Sequence, residues 1–319
     1  MKKNIDTFYK YREFSSTTLD LLCQDNVYFA NPGSFNDPLD CNPTLKCDSS
    51  NDELRKLLAF LLQRRINKEI LSNLEQASLK GEKAEKHALN RSRDFAIDRL
   101  NNISYHATNP DFEVETEEAE SWLLVQEIER ELLRYYERGV CCFSSSFSNP
   151  LLWSHYGDQH KGLCVGYGTD RNPIPELKEV IYGGSRSIKT STLINAFLSN
   201  DTQAQSNLDR DVLLRKAKGW KYEGEWRLIG KQGLQGSPLL LKEVTFGLRC
   251  SGSIMHSVVK ALEGRRNEVK FFEMYIIRGS YELRRRDLDI HELNAFLPKT
   301  AQSGIEIFGE FKKDLGDSS

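Results

Sequence analysis

Long apolar runs are missing from this 319-residue chain. Mean hydropathy is −0.54 and no run of 18 apolar residues occurs, which excludes a membrane-spanning helix. An excess of one charge is missing too. Lys and Arg total 44 against 46 Asp and Glu, a formal charge of −2 with a pI near 6.4, so a nucleic-acid-coating polycation is excluded. The start, Met1-Lys2-Lys3-Asn4-Ile5-Asp6, has charge but no apolar core, so no secretory signal, a cytoplasmic location and no membrane partner are expected. No phosphate-cradling Gly-x-x-x-x-Gly-Lys run is present, the tight pair Gly183-Gly184 lacks dinucleotide-fold spacing, and no Gly-x-Ser-x-Gly elbow appears. Repeats and low-complexity tracts are absent as well. The seven cysteines are an odd number, and Cys141, Cys142 and Cys164 sit in apolar runs, as buried thiols of a reducing compartment do. Neither Cys41 with Cys47 nor His155 with His160 has a recurrent zinc spacing, so no metal is expected.

The chain has enough apolar side chains to fold. Hydrophobic residues make up 39 % and aromatics 10 %, enough to offset the entropy of ordering. The pattern predicts one α+β domain over residues 1–319, with a mixed, largely antiparallel sheet and a charged helical insertion over residues 50–138. Residues 8–14 read as a first strand, Thr18 to Leu22 as a short helix and Val27 to Ala30 as a second strand. Leu54, Leu57, Leu58, Leu61 and Leu62 recur at helical spacing after cap candidates between Asp48 and Asp52, and Gly81 interrupts the charged helices that follow. Pro110 to Glu120 reads as an acidic loop, and the helix through Trp122 and Leu132 is expected to close at Gly139. Residues 205–217 look helical. Leu239 to Phe246, Ser253 to Glu263, Val269 to Ile277 and Tyr281 to Asp287 form a closing β-α-β-β run.

Three segments concentrate residue types suited to chemistry. In the first, Tyr9 and Tyr11 share one strand face with Lys10 and Arg12 on the other, followed by the Asn36-Asp37-Pro38 turn. Tyr9, Tyr11, Arg12, Asn36 and Asp37 are ligand-binding candidates, Arg12 as a planar, bidentate phosphate clamp; a charged edge strand is the plainer alternative. The second runs from Cys142 through Ser144, Ser145, Ser146 and Ser148 to Trp153, His155, Tyr156 and Lys161. Its serines are expected to cap a short helix and, with its N–H groups, to offer an anion pocket. His155 is a candidate catalytic residue against the commoner structural histidine. In the third, Glu223, Glu225 and Arg227 are expected on one strand face with Trp226 and Leu228 opposite. Either a weak surface ion pair or a glutamate that stabilises a cationic transition state fits that pattern.

Taken in order, Tyr9 to Arg12, Asn36 to Pro38, Ser146 to Tyr156 with Lys161-Gly162, and Glu225 to Arg227 resemble the signature of a bacterial domain-of-unknown-function family, number 2971. The order Arg12, Ser146-Phe147-Ser148, Glu223-Gly224-Glu225 is also similar to the Arg, Ser-x-Ser and Glu-x-Glu series of ADP-ribosyltransferases. That second resemblance implies a split sheet holding NAD as substrate. Arg12 would then hold the NAD phosphates, Ser146 or Ser148 the ribose, and Trp153 or Tyr156 the nicotinamide. Glu225 would stabilise the oxocarbenium-like state and Glu223 would activate an acceptor, protein or nucleic acid. Lys161, Trp226 and Arg227 complete the ligand-binding candidates, for a small anionic ligand or nucleotide. The setting this implies is a bacterial defence or toxin-type system. The alternatives are a non-catalytic interaction or sensor module of such a system, and a nuclease using Asp37, Glu223 and Glu225 around a divalent cation.

Overall fold

Charge-rich helices in the first half and short strands toward both ends make an α+β protein, seen in a computed structural model that describes residues 6–136 and 138–308. The segment Met1 to Ile5, Glu137 within the insertion and the residues after Phe308 lie outside the described residues. The aromatic first segment forms β1 (Phe8–Arg12), and Ser15 caps α1 (Ser16–Cys23) by accepting from the Thr18 amide. β2 (Asn26–Phe29) runs into a 3-10 turn over Pro32–Ser34, whose Asn31 cap accepts from the Gly33 amide, and then β3 (Thr44–Lys46). Three helices follow: α2 (Asn51–Gln76), α3 (Glu82–Ala107) and α4 (Thr116–Tyr135). Ser50 and Glu53 form a reciprocal capping box on α2, and Gly81, at φ +100°, starts α3.

The second half is more broken. β4 (Arg138–Ser144), α5 (Pro150–His155) and β5 (Leu163–Gly168) lead to the short β6 (Lys178–Glu179), β7 (Ile181–Tyr182) and β8 (Ser187–Lys189). Then come α6 (Thr190–Phe197), α7 (Thr202–Leu213), β9 (Arg215–Lys216), a 3-10 turn over Lys218–Glu223, β10 (Glu225–Lys231) and β11 (Gly233–Gly236). The closing run is β12 (Leu240–Phe246), α8 (Gly252–Leu262), β13 (Lys270–Ile276) and β14 (Leu283–Asp287), followed by α9 (Ile290–Phe296) and α10 (Gly304–Phe308).

The described residues divide into two compact units. Unit 1 takes residues up to Phe8, Asn26–Ser146 and Thr169–Leu240; unit 2 takes Tyr9–Asp25, Phe147–Gly168 and the chain from Leu241. In unit 1, β10 lies between β4 and β6, antiparallel to both, while β2 pairs with β11, β3 with β8 and β7 with β9. Its core joins the α2 leucines Leu54, Leu57, Leu58, Leu61 and Leu62 to Leu124, Ile128 and Leu132 of α4 and to Leu193, Phe197, Leu208 and Leu213. Each fully buried leucine contributes about 1.5–3 kcal/mol, which makes a half-polar insertion part of the core rather than an appendage. In unit 2 the strand order is β14-β13-β12-β5-β1. β12 and β13 are parallel and joined by α8, a β-α-β crossover, and β14 returns antiparallel to β13.

Several local expectations are corrected. Gly139 does not close a helix: α4 ends at Tyr135, and Gly139 sits in β4 where an added Cβ would lie 2.6 Å from that of Phe29. The acidic stretch after Pro110 is helical from Thr116, because Glu117 and Glu118 favour the positive end of α4. The helix read over 205–217 stops at Leu213, and Lys216 belongs to β9. No serine caps α5: Asn149 does, accepting from the Leu151 amide, while Ser144 donates to the Glu223 carbonyl oxygen at 2.6 Å. Among the described residues no helix is long and apolar enough to cross a membrane.

Candidate functional site

Glu225 and Arg227 lie two apart on β10 and share a face, as strand alternation requires. Glu223 is not on that strand. It ends the 3-10 turn, and Gly224, left-handed at φ +51°, redirects the chain so that both glutamates meet one cation. A Cβ on Gly224 would lie 2.6 Å from the Ser145 hydroxyl, so the bend has both a conformational and a steric reason for glycine. The cation is Lys216 of β9, whose Nζ donates to Glu223 at 2.6 Å and to Glu225 at 2.8 Å and lies 3.5 Å from Asp40. Tyr182, opposite Lys216 in the β7–β9 pair, accepts from the Glu225 amide at 2.7 Å.

Arg227 is fully buried and fully engaged. Its Nε and Nη2 donate to the two oxygens of Glu225 at 2.7 and 3.2 Å, Nη2 also to Asp40 at 2.7 Å, and Nη1 to the Leu213 carbonyl oxygen and the Cys41 sulfur. Three carboxylates thus surround two cations in a space where all five residues are at most 9 % exposed. Burial alone would push the Glu225 carboxyl up, but the Arg227 guanidinium and the Lys216 ammonium outweigh it and hold it down to about 2. Burial likewise disfavours the Lys216 ammonium, and Glu225 and Glu223 reverse that, so it titrates above the ordinary lysine range. Burial raises the Cys41 thiol to about 12, so it is protonated at neutral pH and no nucleophile. The weak surface ion pair considered for Glu225 and Arg227 is therefore replaced by a buried network.

This network backs onto a cavity of about 300 Å³ within unit 1. Asp40 and Cys41 belong to its wall, with Asp37 of the Asn-Asp-Pro turn, and Phe35, Tyr136 and Leu213 supply apolar surface. The Phe35 ring lies 5.6 Å from the Arg227 guanidinium carbon, so one aromatic side chain serves both cavity and network. Asp37 is 9 % exposed and its Oδ1 accepts from the Leu39 amide at 2.9 Å. Asn36 is exposed.

The predicted site residues fall into both units. Asn36, Asp37, Ser146, Glu223, Glu225, Trp226 and Arg227 belong to unit 1; Tyr9, Tyr11, Arg12, Ser148, Trp153, His155, Tyr156 and Lys161 belong to unit 2. Within unit 1, Glu223, Glu225 and Arg227 come together, and the Trp226 ring packs at 5.3 Å against that of Phe8, tilted by 59°. Within unit 2 the aromatics are core. Tyr9 meets the Phe147 ring at 5.5 Å, Tyr11 meets Trp153 at 5.1 Å, and the Trp153 indole donates to the Phe147 carbonyl oxygen at 2.8 Å. Burial pushes Tyr9 up to about 12, aided by Glu243. His155 and Lys161 are exposed, and Tyr156 is half-buried beside the His155 ring. Sequence reasoning missed Lys216, Asp40 and Tyr182. Lys216 lies in the stretch that reads as helical, and the closeness of Asp40 to the Asn-Asp-Pro turn is the one sequence signal that could have found it.

Among the described residues, no group of three or more His, Cys, Asp or Glu is placed to hold a metal ion. Glu223, Glu225 and Asp40 converge instead on the Lys216 ammonium. No curated protein and no solved structure matches this chain. One family model does match, from within α5 through the Glu225–Arg227 strand: residues 152–228 are similar to the family described as Protein of unknown function (DUF2971).

Proposed function

We propose that this chain is a nucleotide-binding protein whose ligand is NAD, or a nucleotide with a similar flat, cationic or donor-bearing ring, seated in the unit 1 cavity. The observation that carries this reading is Asp40: it lines the cavity and also belongs to a buried group of three carboxylates and two cations. One unit of negative charge is left over, and Asp37 adds another at the wall. In a low-dielectric pocket such carboxylates attract a cation and accept hydrogen bonds from an amide. Phe35 and Tyr136 provide faces for a flat ring, and about 300 Å³ suits the ring end of a nucleotide. The oxidised nicotinamide of NAD has the three required properties: flat shape, positive charge and a carboxamide donor.

The test compares oxidised NAD with its reduced form by calorimetric titration of the full chain, because reduction removes the ring's charge and leaves nearly everything else. Saturable binding of the oxidised form, at least tenfold tighter than the reduced form, is expected. Equal affinities would remove the charge argument.

One observation favours a second reading, cleavage of NAD. Glu225 is held ionised across the physiological range, the state in which a carboxylate stabilises a neighbouring cation. The C1′–N bond would break with both electrons leaving on neutral nicotinamide. The ribosyl oxocarbenium would then take water or an acceptor nucleophile, which loses its proton. Glu225 is not on the cavity wall, so its field would act through Asp40 and Arg227 as a positioning charge. Nicotinamide release on incubation with NAD, lost in Glu225→Gln, is the expected result; unchanged release in that variant would exclude Glu225.

A further inference from the structure

A second feature, in unit 2, is independent of the cavity. Arginine presents Nε and Nη2 along one edge as a fork for two oxygens. This chain uses that edge repeatedly. Arg65 donates through Nε and Nη2 to both oxygens of Glu131 at 2.7 and 3.2 Å, and Arg227 does the same to Glu225. Arg12 is different. The same two atoms, Nε and Nη2, are buried and have no hydrogen-bond partner. A guanidinium cannot shed its charge by losing a proton, and buried donors without acceptors are rare in folded proteins. An acceptor supplied from outside the chain resolves the deficit.

The surroundings are closely packed. Tyr9 and Tyr11 are fixed on one face of β1 by Phe147 and Trp153, which sends the Arg12 side chain to the other. The loop after α5 presses on the Arg12 backbone: a Cβ on Gly162 would lie 2.2 Å from the Arg12 carbonyl oxygen. That loop carries the exposed cation Lys161 immediately before this contact.

We propose that the Nε/Nη2 edge of Arg12 is an oxyanion site that takes a phosphate or carboxylate group as a bidentate ligand. The proposal does not rest on the unit 1 reading and stands if NAD fails to bind there. The shared chemistry is a planar pair of oxygens with negative charge, and the test separates its two sources. In the full chain, the Nε–H resonance of Arg12, assigned through bonds, is followed while inorganic phosphate is titrated in one sample and acetate in another. Chloride at matched ionic strength is the control. A saturable shift of the Arg12 signal with one of the two anions is expected, with the Arg65 and Arg227 signals unmoved. That anion should also raise the unfolding midpoint of the unmodified chain, with affinity at least tenfold weaker in Arg12→Lys, which keeps the charge and loses the fork. An Arg12 signal that responds to neither anion beyond the chloride control overturns the proposal, whether or not the variant folds.

Discussion

Arg227 ties several separate segments of unit 1 together. It is buried in full, and its guanidinium joins β10 to Asp40, to Leu213 at the end of α7 and to Cys41. Removing one partner of a buried ion pair strands the other, so Arg227→Met, similar in length and uncharged, is predicted to destabilise unit 1 by about 3–5 kcal/mol in urea unfolding. A loss below about 1 kcal/mol would show that the carboxylates find other partners. The acid limb of stability carries a second prediction. Glu225 is depressed from 4.5 to about 2, so the unfolded chain binds its proton at higher pH than the folded one. This contribution is complete above 4.5, falls as pH drops toward 2, and amounts to something on the order of 3 kcal/mol. Glu225→Gln should therefore flatten the stability curve between those two pH values, and an unchanged slope would contradict the assignment. Lys216 has the opposite sign: its support is complete below the ordinary lysine range and fades as pH rises above it.

At the scale of elements, the helical insertion tests how much of unit 1 depends on local pattern. The five leucines of α2 were legible because helical spacing is a local signal, and the cap candidates between Asp48 and Asp52 include Ser50, which forms the capping box with Glu53. Leu58→Ala leaves a cavity among residues that are almost fully buried, with a predicted loss of about 2–5 kcal/mol by thermal or urea unfolding. If the insertion were only a solvated appendage, the same substitution would cost less than about 1 kcal/mol. The closing β-α-β-β run was equally legible, since apolar strands flank an amphipathic helix at crossover length. Other elements were not. Gly139 resembles a helix stop, yet it is needed where β4 passes close to Phe29. Lys216 follows an amphipathic helix without a break in pattern, and only its pairing with β7 makes it a strand residue.

For the whole molecule, the sequence motifs located chemistry better than they located roles. The Glu-x-Glu and Asn-Asp-Pro segments both contribute to one region of unit 1, the first to the ion network and the second to the cavity wall. What spacing could not convey was saturation: Glu223 and Glu225 are tied to Lys216, a residue whose partnership depends on chain folding rather than on any local period. The aromatic signature of the Trp153 segment reads as recognition chemistry but builds the core of unit 2. In the function proposed above, carboxylates at the unit 1 cavity select a cationic ring. Asp37→Asn isolates their charge, because the asparagine oxygen can still accept from the Leu39 amide while the charge is lost. Titration of oxidised and reduced NAD into both proteins should show the unmodified chain preferring the oxidised form at least tenfold and the variant losing most of that preference with its unfolding midpoint retained. An identical preference in the two proteins, or no saturable binding of either form to the unmodified chain, would contradict the claim.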